Sequence, residues 1–227
     1  FDVESTKTVG LTNLLMAESG PGRTRCDLFW NNEILNTIRL KHAGVLQTFQ
    51  PDHAADYPAP FRDKDGHWYG FAARARILLV NTDLVREDQR PRGIEELTDP
   101  RWKGRVGLAK PLFGTTATHA ACLFASWGEL RAKRYFQALK ANGAAIFSGN
   151  KQVAQAVSAG QIAVGLTDTD DAMIEIAQGR PAAIVYPDRE RDQLGTLFLP
   201  NTLAIPKFAA HFDEAVKLAG HLLSASV

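Results

Sequence analysis

Residues 160–172, GQIAVGLTDTDDA, decide the fold class of this 227-residue chain. Positions 162–166 form a short apolar run of strand type. It leads into a polar turn with three carboxylates, Asp168, Asp170 and Asp171. The apolar run at 172–177 reads as a helix, ended by Gly179 and Pro181. A strand that delivers polar groups to a helix N-terminus builds ligand sites in open α/β sheets.

The same pattern extends outward. Upstream, residues 105–109 read as a strand, 114–127 and 129–142 as helices, 144–147 as a strand and 151–159 as a helix. Nearer the start, a helix at 6–18 stops at Gly20-Pro21-Gly22. A strand at 27–30 precedes an amphipathic helix carrying Ile34, Leu35, Ile38 and Leu40 and closed by Gly44. Residues 51–60 are a Pro/Asp/His-rich loop. A long β-rich run covers 68–81, and 93–102 hold a short helix and an Asp-Pro turn. Downstream come strands at 184–186 and 196–205 and a helix at 209–223. Such alternation predicts an α/β fold with a largely parallel sheet. The strand at 77–81 and the return at 196–205 predict two crossings between lobes, 1–79 plus 197–227 and 80–196. That is a hinged protein with a cleft.

Composition narrows the classes. With 45% hydrophobic and 22% charged residues, the chain has an ordinary globular make-up. A net charge of +1 gives no basic bias toward nucleic acid, and no apolar run reaches membrane-span length. Cys26 and Cys122 sit in apolar contexts and read as buried thiols. Phe1-Asp2-Val3 looks like the tail of a strand, so the expectation is a fragment, or a mature chain lacking elements at both ends.

Four strand-end turns carry the candidate chemistry. Gly114, Thr115 and Thr116, with Thr118 and His119, offer free N–H groups and hydroxyls to an anion at a helix start. Ser148 and Asn150 repeat the theme beside Lys151 as helix caps. Trp30, Asn31, Asn32 and Glu33 give an apolar wall with amide donors and acceptors. Asp168, Asp170 and Asp171 exceed what helix capping needs, and suit a cation, an amine or sugar hydroxyls. Arg74 and Arg76, two apart on a strand, share a face. They pair with an anion or a carboxylate, or line a solvated edge. The six histidines show no metal-ligand spacing, and no hydrolase, zincin or nucleotide-loop motif is present. The pattern is that of a binder, not an enzyme.

Five blocks then carry a resemblance: CDLFWNNE (26–33), WYGFAARARILLVNT (68–82), LTDPRWKGRVGLAKPLFGTTATH (97–119), SGNKQVAQAVSAGQIAVGLTDTDDA (148–172) and GTLFLPNTLAI (195–205). In this order they resemble extracellular solute-binding proteins of ABC importers, in the ferric-ion-binding-like group. The resemblance implies a type II periplasmic-binding fold, two lobes closing on a solute, and delivery to a membrane permease. It also implies a first strand and helix before Phe1 and further helices after Val227. Ferric binders of the group place adjacent tyrosines after the strand at 162–166; this chain has Asp170 and Asp171 there. Other members bind sugar phosphates or phosphonates.

The expectation is therefore a monomeric periplasmic binder, lipid-anchored or secreted in a Gram-positive cell, with no resident cofactor. Its ligand is a small anionic or polar organic solute held by Trp30, Asn31, Asn32, Glu33, Arg74, Gly114, Thr115, Thr116, Ser148, Asn150, Asp168, Asp170 and Asp171. The alternative is ferric ion on Glu33, Asp168, Asp170 and Asp171. The rivals are a regulator's effector-sensing domain, which a DNA-binding segment would reveal, and an enzyme, which turnover lost on changing His119 or Asp168 would reveal.

Overall fold

The computed structural model describes residues 8–112 and 114–224. The strand tail read at Phe1–Val3, and Thr6 and Lys7 of the first helix reading, lie outside them. The chain forms two compact units, residues 1–73 with 199–227, and residues 74–198. The first crossing falls inside the long strand at Ala73–Arg74, so residues 74–79 belong to the second unit rather than to the first lobe as read from sequence.

In the first unit, α1 (Thr8–Glu18) leads to β1 (Phe29–Asn31), α2 (Ile34–His42) and β2 (Leu46–Gln47). Two short 3₁₀ turns, Ala54–Asp56 and Ala59–Phe61, occupy the Pro-rich loop. The long strand β3 (Trp68–Asn81) begins here and runs on into the second unit. In α2, Arg39, Lys41 and His42 fill the last turn, where cations favour the helix dipole.

In the second unit, β4 (Val106–Ala109) is followed by α3 (Gly114–Trp127), α4 (Glu129–Ala141), β5 (Ala145–Phe147), α5 (Asn150–Ser158), β6 (Val164–Asp168), α6 (Thr169–Ala177) and β7 (Ala182–Val185). The chain then returns through β8 (Phe198–Pro206) to α7 (Phe212–Leu222). In the first unit β1 and β2 both pair antiparallel with β8, Phe29 opposite Ala204 and Leu46 opposite Pro206.

Both units bury two faces of their strands. Along β3, Leu78 and Val80 enter one core with Trp102, Leu123, Tyr135 and Leu139. Ala75, Ile77 and Leu79 enter another with Val153, Val157, Ile162 and Ala172. Side chains alternate across a strand, so a run apolar at every position needs a helical layer on each side. Here α3 and α4 supply one layer, α5 and α6 the other. In the first unit, Leu203 and Ile205 pack with Ala215, Ala219 and Leu223, while Phe29, Leu40 and Trp68 pack with Ala204.

The largely parallel sheet is corrected. Among the described pairings, β4 is parallel to β5 and β6, but β3 runs antiparallel to both β6 and β7. Helical crossovers force β4, β5, β6 and β7 to run one way. β3 reaches the sheet with no such crossover and inserts between β6 and β7 against their direction. The cysteines also differ from expectation. Both are thiols outside any disulfide, as read, but part-exposed rather than buried, with the Cys122 thiol raised by what burial it has.

Candidate functional site

Antiparallel pairing of β3 with β6 sets Arg76 directly opposite Asp168. The Arg76 side chain is wholly buried, and its Nη1 donates to Asp168 Oδ1 at 2.6 Å and to Asn150 Oδ1 at 3.1 Å. Its Nη2 lies 3.4 Å from the Leu166 carbonyl, and its Nε faces His119 Nδ1 at 3.4 Å. Asp168 Oδ2 accepts from Thr115 Oγ1 at 2.5 Å and from Asn150 Nδ2 at 2.8 Å. Asn150 Nδ2 also donates to Thr115 Oγ1, while its Oδ1 accepts from Thr116 Oγ1. The starts of α3, α5 and α6 are thus tied to one guanidinium. The solvated-edge reading of Arg76 is overturned, because a charge this deep requires a buried counter-charge.

The reading of Ser148 and Asn150 as caps is overturned too, and Asp168, at the N-cap of α6, makes no side-chain cap bond because its carboxylate is turned to Arg76. Gly149 is the N-cap of α5; Ser148 is exposed in the preceding bend and Asn150 points into the network. Gly114 opens α3 at φ +64, a backbone that favours glycine. His119, buried beside Arg76, has its pKa pushed down to about 3 by burial and then by that positive charge. It therefore stays neutral at physiological pH.

Beyond this knot, Asp170 is exposed and pairs with Arg74 Nη1 at 3.1 Å. Asp171 is half-buried and, among the described residues, has no hydrogen bond or ion pair. Burial, then the charges of Asp170 and Asp168, raise it to about 6. One oxygen from each of Asp168, Asp170 and Asp171 lies within 4.8 Å of the others. Oxygens on one hard cation sit no farther apart than about twice a bond of roughly 2.0–2.6 Å, so the group has coordination spacing.

The first unit places its expected residues differently. Asn31 is buried: its Nδ2 donates to the Glu33 carbonyl and, at 2.9 Å, to Thr37 Oγ1, and its Oδ1 accepts from the Glu33 N–H. It shapes the entry to α2. Glu33 is buried and accepts from Asn36, whereas Asn32 is exposed. Trp30 is 53% exposed, edge-on to Phe71.

Sequence reasoning missed a second cluster, Asp63, Asp65 and His67, whose Asp-x-Asp-x-His spacing was the available signal. It borders a cavity of about 680 Å³ lined by Phe49, Arg62, Lys64 and Tyr69. The Lys41 ammonium sits between Asp63 at 2.6 Å and Asp65 at 2.9 Å, and His67 Nδ1 meets Asp63 at 2.9 Å. A side-chain cation already holds the position a metal would take.

Residues 36–227 match the family of bacterial extracellular solute-binding proteins, and the chain belongs to that family. It is 27% identical over 210 residues to iron uptake protein A1 of Synechocystis sp., covering 87% of this chain and 57% of that protein. It is 32% identical over 140 residues to the Fe(3+)-binding periplasmic protein of Serratia marcescens, covering 62% and 41%. The chain therefore spans roughly half the length of these curated relatives. Among solved structures, iron-bound HitA from Pseudomonas aeruginosa superposes with a TM-score of 0.86 at 25% identity, over 96% of this chain and 70% of HitA. AfuA from Actinobacillus pleuropneumoniae, with fructose-6-phosphate bound, gives 0.79 at 22% identity, over 95% and 68%. The fold is that of the periplasmic binding proteins.

Proposed function

We propose that this chain is the solute-capturing component of an ABC importer, acting in the periplasm, and that its cargo is a hard multivalent cation, ferric ion first. The carrying observation is Asp171: a half-buried carboxylate that has no hydrogen bond or ion pair among the described residues, raised to about 6 by burial and by its acidic neighbours. A cation beside Asp170 and Asp171 removes that repulsion, and carboxylate oxygen is a hard donor suited to a hard ion. The iron-binding names of several relatives support the same cargo. Delivery to a membrane permease fits a chain in which no described helix is long and apolar enough to cross a membrane.

Sugar phosphate is the second reading. It draws on Arg74, a cation at the same helix start, and on the likeness to AfuA. Against it, Thr115, Thr116 and Asn150, which the sequence suggested for an anion, spend their polar atoms on one another and on Asp168. A thermal-shift comparison of ferric citrate with fructose 6-phosphate separates the two. Stabilisation by ferric ion with none by the sugar phosphate supports the cation; the reverse result overturns it.

A further inference from the structure

The three acidic side chains at the start of α6 are not equivalent. Asp168 is 2% exposed and already accepts three hydrogen bonds, one from Arg76 and two from Thr115 and Asn150. A carboxylate offers about four lone-pair sites, so at most about one is left. Its charge is also committed. Three helix N-termini meet here, each carrying about half a positive charge, around a fully buried guanidinium. Asp168 is the buried anion in that assembly. Asp170 and Asp171, two and three residues further along in the first turn of α6, accept no comparable set among the described residues.

We propose that Arg76, Asp168, Asn150 and Thr115 form a positioning unit, resting on the cation reading above. The unit clamps the first turn of α6, and Asp168 is withheld from the cargo as the counter-ion of Arg76. The carboxylates that touch the cargo are Asp170 and Asp171. Arg76 acts on cargo only through Asp168 and the helix it anchors. The cation site is thereby narrowed to two carboxylates, leaving coordination positions to water or a small co-bound anion.

Europium(III) is the probe, because its luminescence decay in water and heavy water counts the waters bound to the ion. Asp171→Asn raises that count. Asp168→Asn leaves it unchanged while weakening binding by about 10–100-fold, the usual cost of losing an outer partner. An equal rise in both variants makes Asp168 a direct ligand and overturns the proposal. Asp168→Asn strips a buried charge of its partner and risks unfolding, so Thr115→Val is the milder variant. It weakens europium binding at an unchanged water count, and Thr115→Ser, which keeps the hydroxyl, restores affinity. Full affinity in Thr115→Val also overturns the clamp. If the unaltered protein binds no europium, the cation reading fails and amide hydrogen exchange decides the positioning unit. Thr115→Val then speeds exchange at Ala172 and Met173 but not at Ile77–Val80, and Thr115→Ser reverses it. Unchanged exchange at Ala172 and Met173 rules the clamp out.

Discussion

Asp171 and His119 titrate with opposite signs. Asp171 is raised from 3.8 to about 6, so between these values the native state holds a proton that the unfolded chain has lost. Stability then falls as pH rises through about 6, and the deficit is complete above it. His119 is lowered from 6.5 to about 3, so in that window the unfolded chain holds a proton the native state refuses. Its contribution is present above about 6.5 and is lost as pH falls. Between about pH 4 and 6 the two slopes oppose one another. Asp171→Asn is expected to stabilise the protein at neutral pH by about 1 kcal/mol, after discounting for solvent screening. That gain vanishes near pH 4, and the acid loss due to His119 steepens. His119→Gln is expected to do the converse, leaving stability that rises as pH falls from 6 to 4. Urea melts across that range check both; parallel pH profiles in both variants would contradict the assignment. At this scale the sequence singled out Thr115, Thr116, Ser148, Asn150, Asp168 and Asp170 in the second lobe, and the structure leaves Ser148 and Asp170 outside while bringing Thr115, Thr116, Asn150 and Asp168 together. It turns them onto one another because Arg76 lies opposite Asp168. That partnership depends on the β3–β6 register, which residue type and spacing do not reveal.

Elements were more legible than partners. The spacing of apolar residues marked β3 over Trp68–Asn81 and α3 over Gly114–Trp127 at their observed limits. Other ends moved by a few residues where local bonding outcompeted pattern. β6 continues through Thr167 and Asp168 because both are held by the neighbouring strand and by Asn150, so the expected polar turn is absent. The direction of β3 was illegible because alternation orders crossovers, not insertions. Close packing between layers is a further element-scale property. A Cβ on Gly165 of β6 would lie 2.5 Å from Val153 Cγ1 and 2.8 Å from Val157 Cγ2 of α5. Gly165→Ala is expected to cost about 1–3 kcal/mol by forcing α5 off the sheet. A shift of the denaturation midpoint at constant slope checks it; an unshifted midpoint contradicts the close approach.

At the scale of the molecule, the family follows from blocks spread along nearly the whole chain, and residues 36–227 carry it. The choice of cargo is a different matter. Fold is shared by iron-bound HitA and by AfuA with fructose-6-phosphate, so architecture alone does not select between them. Selection rests on which polar groups the folded chain leaves over. Hydroxyls and amide are consumed inside the second unit, and what remains at the start of α6 is Asp170 with Arg74, and Asp171, which has no hydrogen bond or ion pair among the described residues. The most direct measurement is a calorimetric titration of the protein with ferric citrate near neutral pH, beside the Asp170→Asn/Asp171→Asn double variant. One ferric ion per chain, with binding abolished in a double variant that remains folded, is the predicted result. Full ferric binding by that variant, or no binding by the unaltered protein, would contradict the account.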